Sequence, residues 1–329
     1  MKYEIRDFSD SSIISVDNEL GLVIELSTYG ASVYGLRLNG KPLILTLADY
    51  DSYKHASQFF GKTLAVCAGR LKKDGLIEGK EYHLVPRGGA NYSLHGGERD
   101  SLSFKNRKYR IKENSSKLIV SFSITTRRNY LGFPGKAKCV VNYEISRITN
   151  SFRIVFSGKA IDEPTFINMS NHIYWNLDSF DISDYTLKMN CNKICSTDEF
   201  LQILGVKEIT RDYDFRRGAK LGPRLNRIEK EDFKKTIDDT FIFDNSIGKI
   251  ILKNDKYTVS YKTNYEAMNI FVDNTETPVK FNTNYQYKTR RGIALEPQKY
   301  LLNYDKLIVR KGETDKYFIE IKVKENIKK

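Results

Sequence analysis

Short segments in which apolar and polar residues alternate recur along this chain, and they restrict its fold more than any other feature. The clearest are residues 120–124, 141–145, 152–156, 257–261 and 317–323. Successive side chains of an extended strand point to opposite faces of a sheet, so a period of two is typical of strands with one buried face. The pattern therefore predicts a protein built mainly from β-strands.

Helical periodicity is weak in comparison. Residues 227–236 are the best candidate for a short helix, and residues 49–62 fit either a short helix or an irregular surface segment. Two further strands are predicted at 22–26 and 33–38. So few helices argue against alternating β-α units, in which each strand would be followed by a helix.

The predicted strands must bury their apolar faces against another sheet. A chain of 329 residues, 40% of them hydrophobic, is long enough to form a large core. It contains no internal repeat, low-complexity block or Pro/Gly/Ser-rich linker. We therefore predict an all-β fold, a large antiparallel β-sandwich, with residues 1–329 forming a single domain.

The net charge of +13 raises the question of a nucleic-acid partner. Lysines and arginines are spread along the whole chain among 41 acidic residues, which indicates a solvated surface and not a binding stripe. The first residues, 1–7, carry charges where a signal peptide needs an apolar core, and no segment has membrane-spanning length. We expect a cytoplasmic protein that binds neither nucleic acid nor membrane.

Cysteine usage supports the same location. The four cysteines lack the spacing of a zinc site, and a cytosolic setting favours buried, reduced thiols over disulfides: Cys67, Cys139, Cys191 and Cys195.

The stretch Asn171-His172-Ile173-Tyr174-Trp175-Asn176-Leu177 points to a function. It places a histidine among amides, a tyrosine and the only tryptophan of the chain. Aromatic rings can pack against the apolar C–H faces of a pyranose, amides can bind its hydroxyls, and an imidazole can transfer a proton near neutral pH. Such a mixture of side chains suits a sugar.

Three other segments carry residues suited to the same ligand. Ala68-Gly69-Arg70 offers a guanidinium whose fixed donors match adjacent hydroxyls. In Asn91-Tyr92-Ser93-Leu94-His95-Gly96-Gly97 the glycines allow a sharp turn beside a ligand. In Gly292-Ile293-Ala294-Leu295-Glu296-Pro297-Gln298 an apolar strand delivers a glutamate, and the proline is expected to end the strand there. Taken singly, each has an ordinary alternative: a surface arginine, a loop histidine or an exposed strand glutamate.

Together, in this order, the four segments resemble the motifs of the aldose 1-epimerases, or galactose mutarotases. The resemblance implies an oversized β-sandwich with the sugar bound in an open cleft on one sheet. It further implies that His172 and Glu296 are the catalytic acid and base and that Arg70 and His95 bind substrate. No metal or organic cofactor is implied.

A fifth residue follows from the same resemblance. The family has an aspartate three residues before a phenylalanine, and Asp238 stands in this relation to Phe241. Asp239 is the alternative, because neighbouring strand residues face opposite sides and only one can enter the cleft. The chain departs from the family pattern after His95, where Glu98-Arg99-Asp100 follows the glycines, and after Gln298.

These residues predict an epimerase that interconverts the α and β anomers of free hexoses such as D-galactose or D-glucose, as a monomer or homodimer. We expect His172 and Glu296 on opposite edges of one hexose-sized hollow, with Trp175 or Tyr174 packed against them. One alternative is a non-catalytic sugar-binding or sensor protein. Another is a hexose-6-phosphate 1-epimerase, with Arg216 and Arg217 or the general positive charge binding phosphate. A glycosidase is less favoured, because it needs a carboxylic acid where the stronger match supplies a histidine.

Overall fold

Residues 1–274, 279–283, 285 and 289–327 are described by the computed structural model of the chain. The strands, in chain order, are β1 (Lys2–Asp7), β2 (Ser12–Asp17), β3 (Leu22–Ser27), β4 (Ser32–Leu38), β5 (Lys41–Pro42), β6 (Ile44–Leu45), β7 (Thr63–Leu64), β8 (Arg70–Lys72), β9 (Asp74–Ile77), β10 (Lys80–His83), β11 (Tyr92–Leu94), β12 (Lys108–Glu113), β13 (Lys117–Thr125), β14 (Ala137–Ser146), β15 (Ser151–Ala160), β16 (Thr165–Phe166), β17 (Ser170–Asn171), β18 (Tyr174–Trp175), β19 (Thr186–Met189), β20 (Cys191–Thr197), β21 (Ile203–Glu208), β22 (Ala219–Lys220), β23 (Asp238–Phe243), β24 (Gly248–Lys253), β25 (Tyr257–Thr263), β26 (Ala267–Asp273), β27 (Gly292–Gln298), β28 (Ile308–Val309) and β29 (Thr314–Glu325). The helices are α1 (Tyr50–His55), α2 (Leu221–Glu231) and α3 (Tyr304–Leu307), and short 3-10 turns occur at Glu98–Asp100, Leu102–Phe104 and Arg211–Tyr213.

Most of these strands belong to three antiparallel sheets. The largest has nine strands in the order β12-β13-β14-β15-β29-β25-β24-β19-β22. A second has seven, in the order β21-β20-β23-β26-β27-β18-β6, and a third consists of β1 to β5 in sequence order. The remaining short strands form two-stranded pairs. Strands far apart in sequence thus become neighbours, as β18 and β27 do.

The nine-stranded and seven-stranded sheets enclose the apolar core. Buried side chains from both sheets belong to one continuous hydrophobic cluster. Trp175 of β18 donates an indole hydrogen bond to the hydroxyl of Tyr261 on β25, with 2.5 Å between the two atoms, and so joins the two sheets through the core. The prediction of an all-β, large antiparallel sandwich is confirmed.

The alternation seen in the sequence corresponds to strands of the nine-stranded sheet. In β14, Val141, Tyr143 and Ile145 are buried, whereas the residues between them are partly exposed. The segments 120–124 and 317–323 lie in β13 and β29. Burial of every second side chain is therefore what produces the period of two.

The helix predicted at 227–236 was wrong at both ends. Helix α2 begins at Leu221 and buries Leu221, Leu225 and Ile228, which recur at helical spacing on one face. Pro223 does not prevent this start, because a proline in the first turn lacks only an N–H that would have no helical partner. The helix ends at Glu231, before the second half of the predicted segment.

The ambiguous segment 49–62 contains both predicted possibilities. Its first part is helix α1, which begins after Asp49, whose carboxylate accepts a hydrogen bond from the Ser52 N–H at 2.7 Å. The second part is an irregular turn, and it forms one wall of the cleft described below. In the described part of the chain, every helix is too short or too polar to cross a membrane.

Candidate active site

A cleft of about 620 Å³ opens on the face of the seven-stranded sheet that lies opposite the core. Three adjacent strands of the sheet supply alternate residues to its floor: Asp238 and Thr240 of β23, Asn269, Phe271 and Asp273 of β26, and Glu296 and Gln298 of β27. The residues between them, such as Ile270 and Leu295, are in the core. All five residues predicted from the sequence line this cleft: Arg70, His95, His172, Asp238 and Glu296.

His172 and Glu296 are in direct contact on the cleft floor. The distance between His172 Nε2 and Glu296 Oε1 is 3.3 Å, and both side chains are almost completely buried. Two hydrogen bonds fix the backbone of His172 to the neighbouring segment. Its N–H donates to the Lys62 carbonyl and its carbonyl accepts from the Gly61 N–H, each at 2.9 Å. The expectation of an acid and a base on opposite edges of a hollow was wrong, since the two groups lie side by side.

Arg70 and Asp238 form a second pair within the cleft. Arg70 donates to Asp238 Oδ2 at 2.8 Å, and the Asn269 amide donates to Asp238 Oδ1 at 3.3 Å. Burial alone would raise the pKa of Asp238, but the neighbouring guanidinium holds this pKa below its usual value. Asp238 is thus a fixed anion that can accept hydrogen bonds from sugar hydroxyls.

Asp239, the alternative to Asp238, points away from the cleft. Its carboxylate accepts a hydrogen bond from Lys234, which is itself nearly buried. Burial raises the pKa of Asp239 to about 6, and the lysine opposes this rise. The strand geometry therefore separates the two neighbouring aspartates into different environments.

His95 lies in a loop whose shape depends on left-handed backbone angles. Its φ is 49°, and the two glycines that follow have φ of 80° and 114°. A Cβ on Gly96 would meet the Ala65 carbonyl oxygen at 2.9 Å, closer than side chains tolerate. The imidazole accepts a hydrogen bond from the Gly69 N–H at Nδ1, over 3.2 Å. A neutral imidazole that accepts at Nδ1 carries its proton on Nε2, so this atom can donate to a sugar oxygen.

The same hydrogen bond bears on metal binding. Side-chain atoms of His95, His172 and Glu296 lie within 4.8 Å of one another, close enough to surround a cation. A metal ligand must offer a lone pair, and the hydrogen bond from Gly69 occupies the unprotonated nitrogen of His95. His95 can therefore donate from Nε2 to a sugar oxygen, and in this tautomer it has no lone pair left for a metal ion.

Comparison with known proteins agrees with this chemistry. The family model for aldose 1-epimerase matches residues 12–322. The chain belongs to the aldose 1-epimerase family. An aldose 1-epimerase of Streptococcus thermophilus is 25% identical to it over 312 residues, which cover 89% of this chain and 87% of that one. An aldose 1-epimerase of Escherichia coli strain K12 is 23% identical over 303 residues, covering 87% and 85% of the two chains.

Solved structures share the fold of this epimerase. The crystal structure of a galactose 1-epimerase from Lactobacillus acidophilus NCFM superimposes with a TM-score of 0.87 at 23% identity, covering 99% of this chain and 98% of that one. An aldose epimerase homologue from C. elegans gives a TM-score of 0.83 at 23% identity, with coverage of 96% and 99%.

Burial of the cleft floor of the epimerase favours an uncharged acid–base pair. Burial lowers the pKa of His172 to about 3. Burial, aided by the negative charge of Asp238, raises the pKa of Glu296 to about 8. Both shifts favour a neutral imidazole beside a neutral carboxyl group. Among the described residues, neither His172 Nδ1 nor Glu296 Oε2 has a hydrogen-bond partner.

Two aromatic rings flank the imidazole of His172. Tyr174 lies 4.7 Å from it between ring centroids, with 24° between the planes, and Phe59 lies at 5.9 Å and 19°. Of the two aromatic residues predicted to pack here, Tyr174 is the one that does so. Trp175, its neighbour on β18, points to the opposite face and into the core.

Asn269 is a residue of the site that the sequence reasoning missed. Its Oδ1 accepts a hydrogen bond from the Thr240 hydroxyl at 3.0 Å, which directs its Nδ2 toward Asp238. By strand pairing Asn269 lies opposite Glu296 on one side and Thr240 on the other. The available signal was a pair of polar residues, Asn269 and Asp273, on one face of the otherwise apolar strand β26.

Two further expectations about the site were wrong. Pro297 does not end its strand, since β27 continues to Gln298, and the Pro297 carbonyl is satisfied by the Ser170 hydroxyl at 2.7 Å. Neither Arg216 nor Arg217 lines the cleft, and Arg216 is bound to its own neighbour Asp214 at 2.8 and 3.0 Å.

Proposed function

We propose that this aldose 1-epimerase acts on free hexoses such as D-galactose or D-glucose, with His172 and Glu296 as its catalytic acid and base. The observation that carries the proposal is the 3.3 Å contact between them. Anomers interconvert through the open-chain aldehyde, which needs one proton removed from O1 and one supplied to O5. Both oxygens are bonded to C1, so adjacent acid and base groups match adjacent reacting atoms.

The reaction would proceed in three steps. Glu296 takes the proton from O1, the C1–O5 bond breaks with its electron pair moving to O5, and His172 protonates O5. Rotation about C1–C2 then presents the other face of the aldehyde. On closure the O5 hydroxyl attacks C1 and gives its proton to His172, while Glu296 returns its proton to O1, which restores the imidazolium and the carboxylate.

The first step requires the ionised form of the pair. Burial favours the proton on Glu296, and its transfer across the 3.3 Å contact to His172 Nε2 would produce the carboxylate and the imidazolium. A hydroxyl that donates to Glu296 favours this transfer, because it stabilises the carboxylate. The pair as a whole, and not either residue alone, would therefore set the pH dependence.

The remaining predicted residues would hold the sugar. The Arg70–Asp238 pair offers both donors and acceptors for adjacent hydroxyls, and His95 offers the Nε2 proton. Positioning of this kind lowers the barrier by fixing the reacting oxygens beside their proton partners. Phe271 and the ring pair around His172 supply apolar surface for the C–H faces of the sugar.

A hexose 6-phosphate remains a second candidate substrate on one observation. Arg87 and Arg99 line the cleft, and within the described part of the chain Arg99 forms no ion pair with a carboxylate. A phosphate at the mouth of the cleft would find a guanidinium there. If this candidate holds, Arg99→Met should lower kcat/KM for glucose 6-phosphate and leave that for glucose unchanged.

The proposal is tested by polarimetry on freshly dissolved α-D-galactose and α-D-glucose. An epimerase accelerates the optical relaxation in proportion to its concentration, whereas a sugar-binding sensor would bind the hexose and leave the relaxation rate unchanged. Comparison with α-D-glucose 6-phosphate then assigns the substrate class.

We also propose a cytoplasmic location and a single domain over residues 1–329, as a monomer or homodimer. The four cysteines are all buried and unpaired, which suits a reducing compartment. Gel filtration with light scattering would decide the oligomeric state.

A further inference from the structure

Lys62 is a buried cation that the acid–base mechanism above does not use. Its side chain is inaccessible to solvent, and its ammonium lies 3.8 Å from the centre of the Tyr53 ring, 5.0 Å from that of Phe104 and 5.6 Å from that of Tyr29. The ammonium donates to the Gln58 carbonyl at 3.4 Å. It forms no ion pair with any carboxylate of the described residues.

This environment is a poor one for a charge. Burial of an ammonium without a counter-ion is costly, and the three rings return only part of that cost through cation–π attraction. Burial, with a smaller contribution from Arg99, lowers the pKa of Lys62 to about 7. A methionine would fill the same space without this cost, so stability alone does not account for the lysine.

The position of Lys62 connects it to His172. The Lys62 carbonyl accepts the His172 N–H, and the Lys62 N–H closes a turn onto the Phe59 carbonyl, each at 2.9 Å. Phe59, within that turn, stacks on the imidazole. The ammonium, bonded to the carbonyl of Gln58 at the start of the turn, therefore lies behind the wall that holds the imidazole in the cleft.

We propose that Lys62 is a positioning residue for His172: its ammonium fixes the turn at 58–62, and its charge opposes the imidazolium, so that the proton stays on Glu296 until a sugar hydroxyl binds that carboxyl group. This inference rests on the proposed role of His172 in the reaction. Like charges repel through the poorly screened interior, so a charged Lys62 lowers the proton affinity of the imidazole.

Other groups near the two residues would also respond to pH. Those that face His172, besides Lys62, are Glu296, His95 and Asp238. Those that face Lys62 are Arg99 and the phenols of Tyr29 and Tyr53. The pKa of Lys62 lies near neutral, so its charge is lost as the pH rises through about 7.

The kinetic test compares wild type, Lys62→Arg and Lys62→Met. Lys62→Arg keeps the charge, whereas Lys62→Met removes the repulsion that opposes proton transfer to His172 and should raise kcat by up to about tenfold, the effect of one pKa unit on His172. Wild type should follow Lys62→Arg below neutral pH and approach Lys62→Met above it. Parallel pH profiles for the three proteins would show that Lys62 is only structural. If Lys62→Arg does not fold, the pH profiles of wild type and Lys62→Met decide. Convergence of the two profiles above neutral pH supports the proposal, and parallel profiles overturn it.

A second readout does not depend on catalysis. The chain has four histidines, so the ring signals of His172 can be assigned by NMR from the spectrum of a His172→Asn variant. In a Glu296→Gln background, which removes the titration of the carboxyl group, these signals should shift with an inflection near neutral pH. The Lys62→Met/Glu296→Gln double variant should lack that inflection.

The two readouts distinguish two failures. If the His172 signals show the inflection but the wild type has no mutarotase activity, the proposed function is overturned and the electrostatic effect of Lys62 on His172 stands. Activity without the inflection would overturn the role of Lys62. Lys54→Met is the matched control, because Lys54 lies 6.0 Å from the centre of the Tyr50 ring, which stacks on Tyr53, but is paired with Asp10 at 2.7 Å. It should behave as wild type in both experiments.

Discussion

His172 lies opposite Glu296 in the antiparallel register of β18 and β27, extended two residues before the start of β18. Tyr174 pairs with Ala294 and Trp175 with Ile293, so two residues before Tyr174 in the same antiparallel register His172 stands beside Glu296. Their side chains lie 3.3 Å apart on the cleft face of the sheet. One element of sheet geometry thus brings together two groups that are distant in sequence.

Removal of either member of this pair should abolish the acceleration of mutarotation. We expect His172→Asn and Glu296→Gln each to lower kcat by about 10²-fold or more, because each deletes one proton-transfer group and keeps a similar shape. Polarimetry with α-D-galactose measures the rate. Circular dichroism should show that the fold is intact, and a near-normal rate in a folded variant would contradict the assigned roles.

The raised pKa of Glu296 also predicts how stability depends on pH. The folded protein holds a proton on this carboxyl group up to about pH 8, whereas the unfolded chain releases it near the usual value. Stability contributed by the neutral carboxyl group is therefore full below the unfolded pKa and is lost as the pH rises to about 8.

Glu296→Gln mimics the neutral form at every pH and provides the measurement. Its free energy of unfolding should equal that of wild type at about pH 4 and exceed it by roughly 2–4 kcal/mol at about pH 9. Urea denaturation at the two pH values gives this difference. A difference that is constant with pH would mean that the carboxyl group titrates normally.

Much of the fold and the membership of the site could be predicted from the sequence. Strands with one buried face, such as β14, leave their periodicity in the chain, and the motifs around His95, His172 and Glu296 named residues of one cleft. A strand buried on both faces leaves no such pattern, and every residue of β27 is buried. The continuation of β27 through Pro297 was therefore misread.

Relations between distant strands were the part that could not be predicted. The contact of His172 with Glu296 depends on strand register, and the orientation of Asn269 depends on Thr240 of the next strand. The location of the shared proton depends on burial, which is a property of the assembled cleft. Sequence motifs identify such residues but contain no information about the distances between them.

Arg70→Met should weaken sugar binding and also destabilise the protein. Arg70 donates to Asp238 at 2.8 Å, and both side chains are largely buried. Loss of the guanidinium removes hydroxyl donors, so KM should rise, and it leaves a buried carboxylate unpaired at a cost of about 2–4 kcal/mol. The loss should diminish as the pH falls and Asp238 becomes protonated. An unchanged KM would refute the binding role.

The neighbouring aspartates of β23 provide a matched pair of variants. Asp238 faces the cleft and accepts from Arg70, whereas Asp239 faces Lys234 on the other side of the strand. Asp238→Asn should therefore raise KM for the hexose about tenfold or more, because a charged acceptor for hydroxyls is lost. Asp239→Asn should keep the KM of wild type and lower the melting temperature, because it leaves the buried Lys234 with only the longer contact to Asp232, at 3.6 Å. Steady-state polarimetry and thermal denaturation separate the two effects. Since the substitutions are chemically identical and one residue apart, the reverse outcome would place Asp239 and not Asp238 at the sugar.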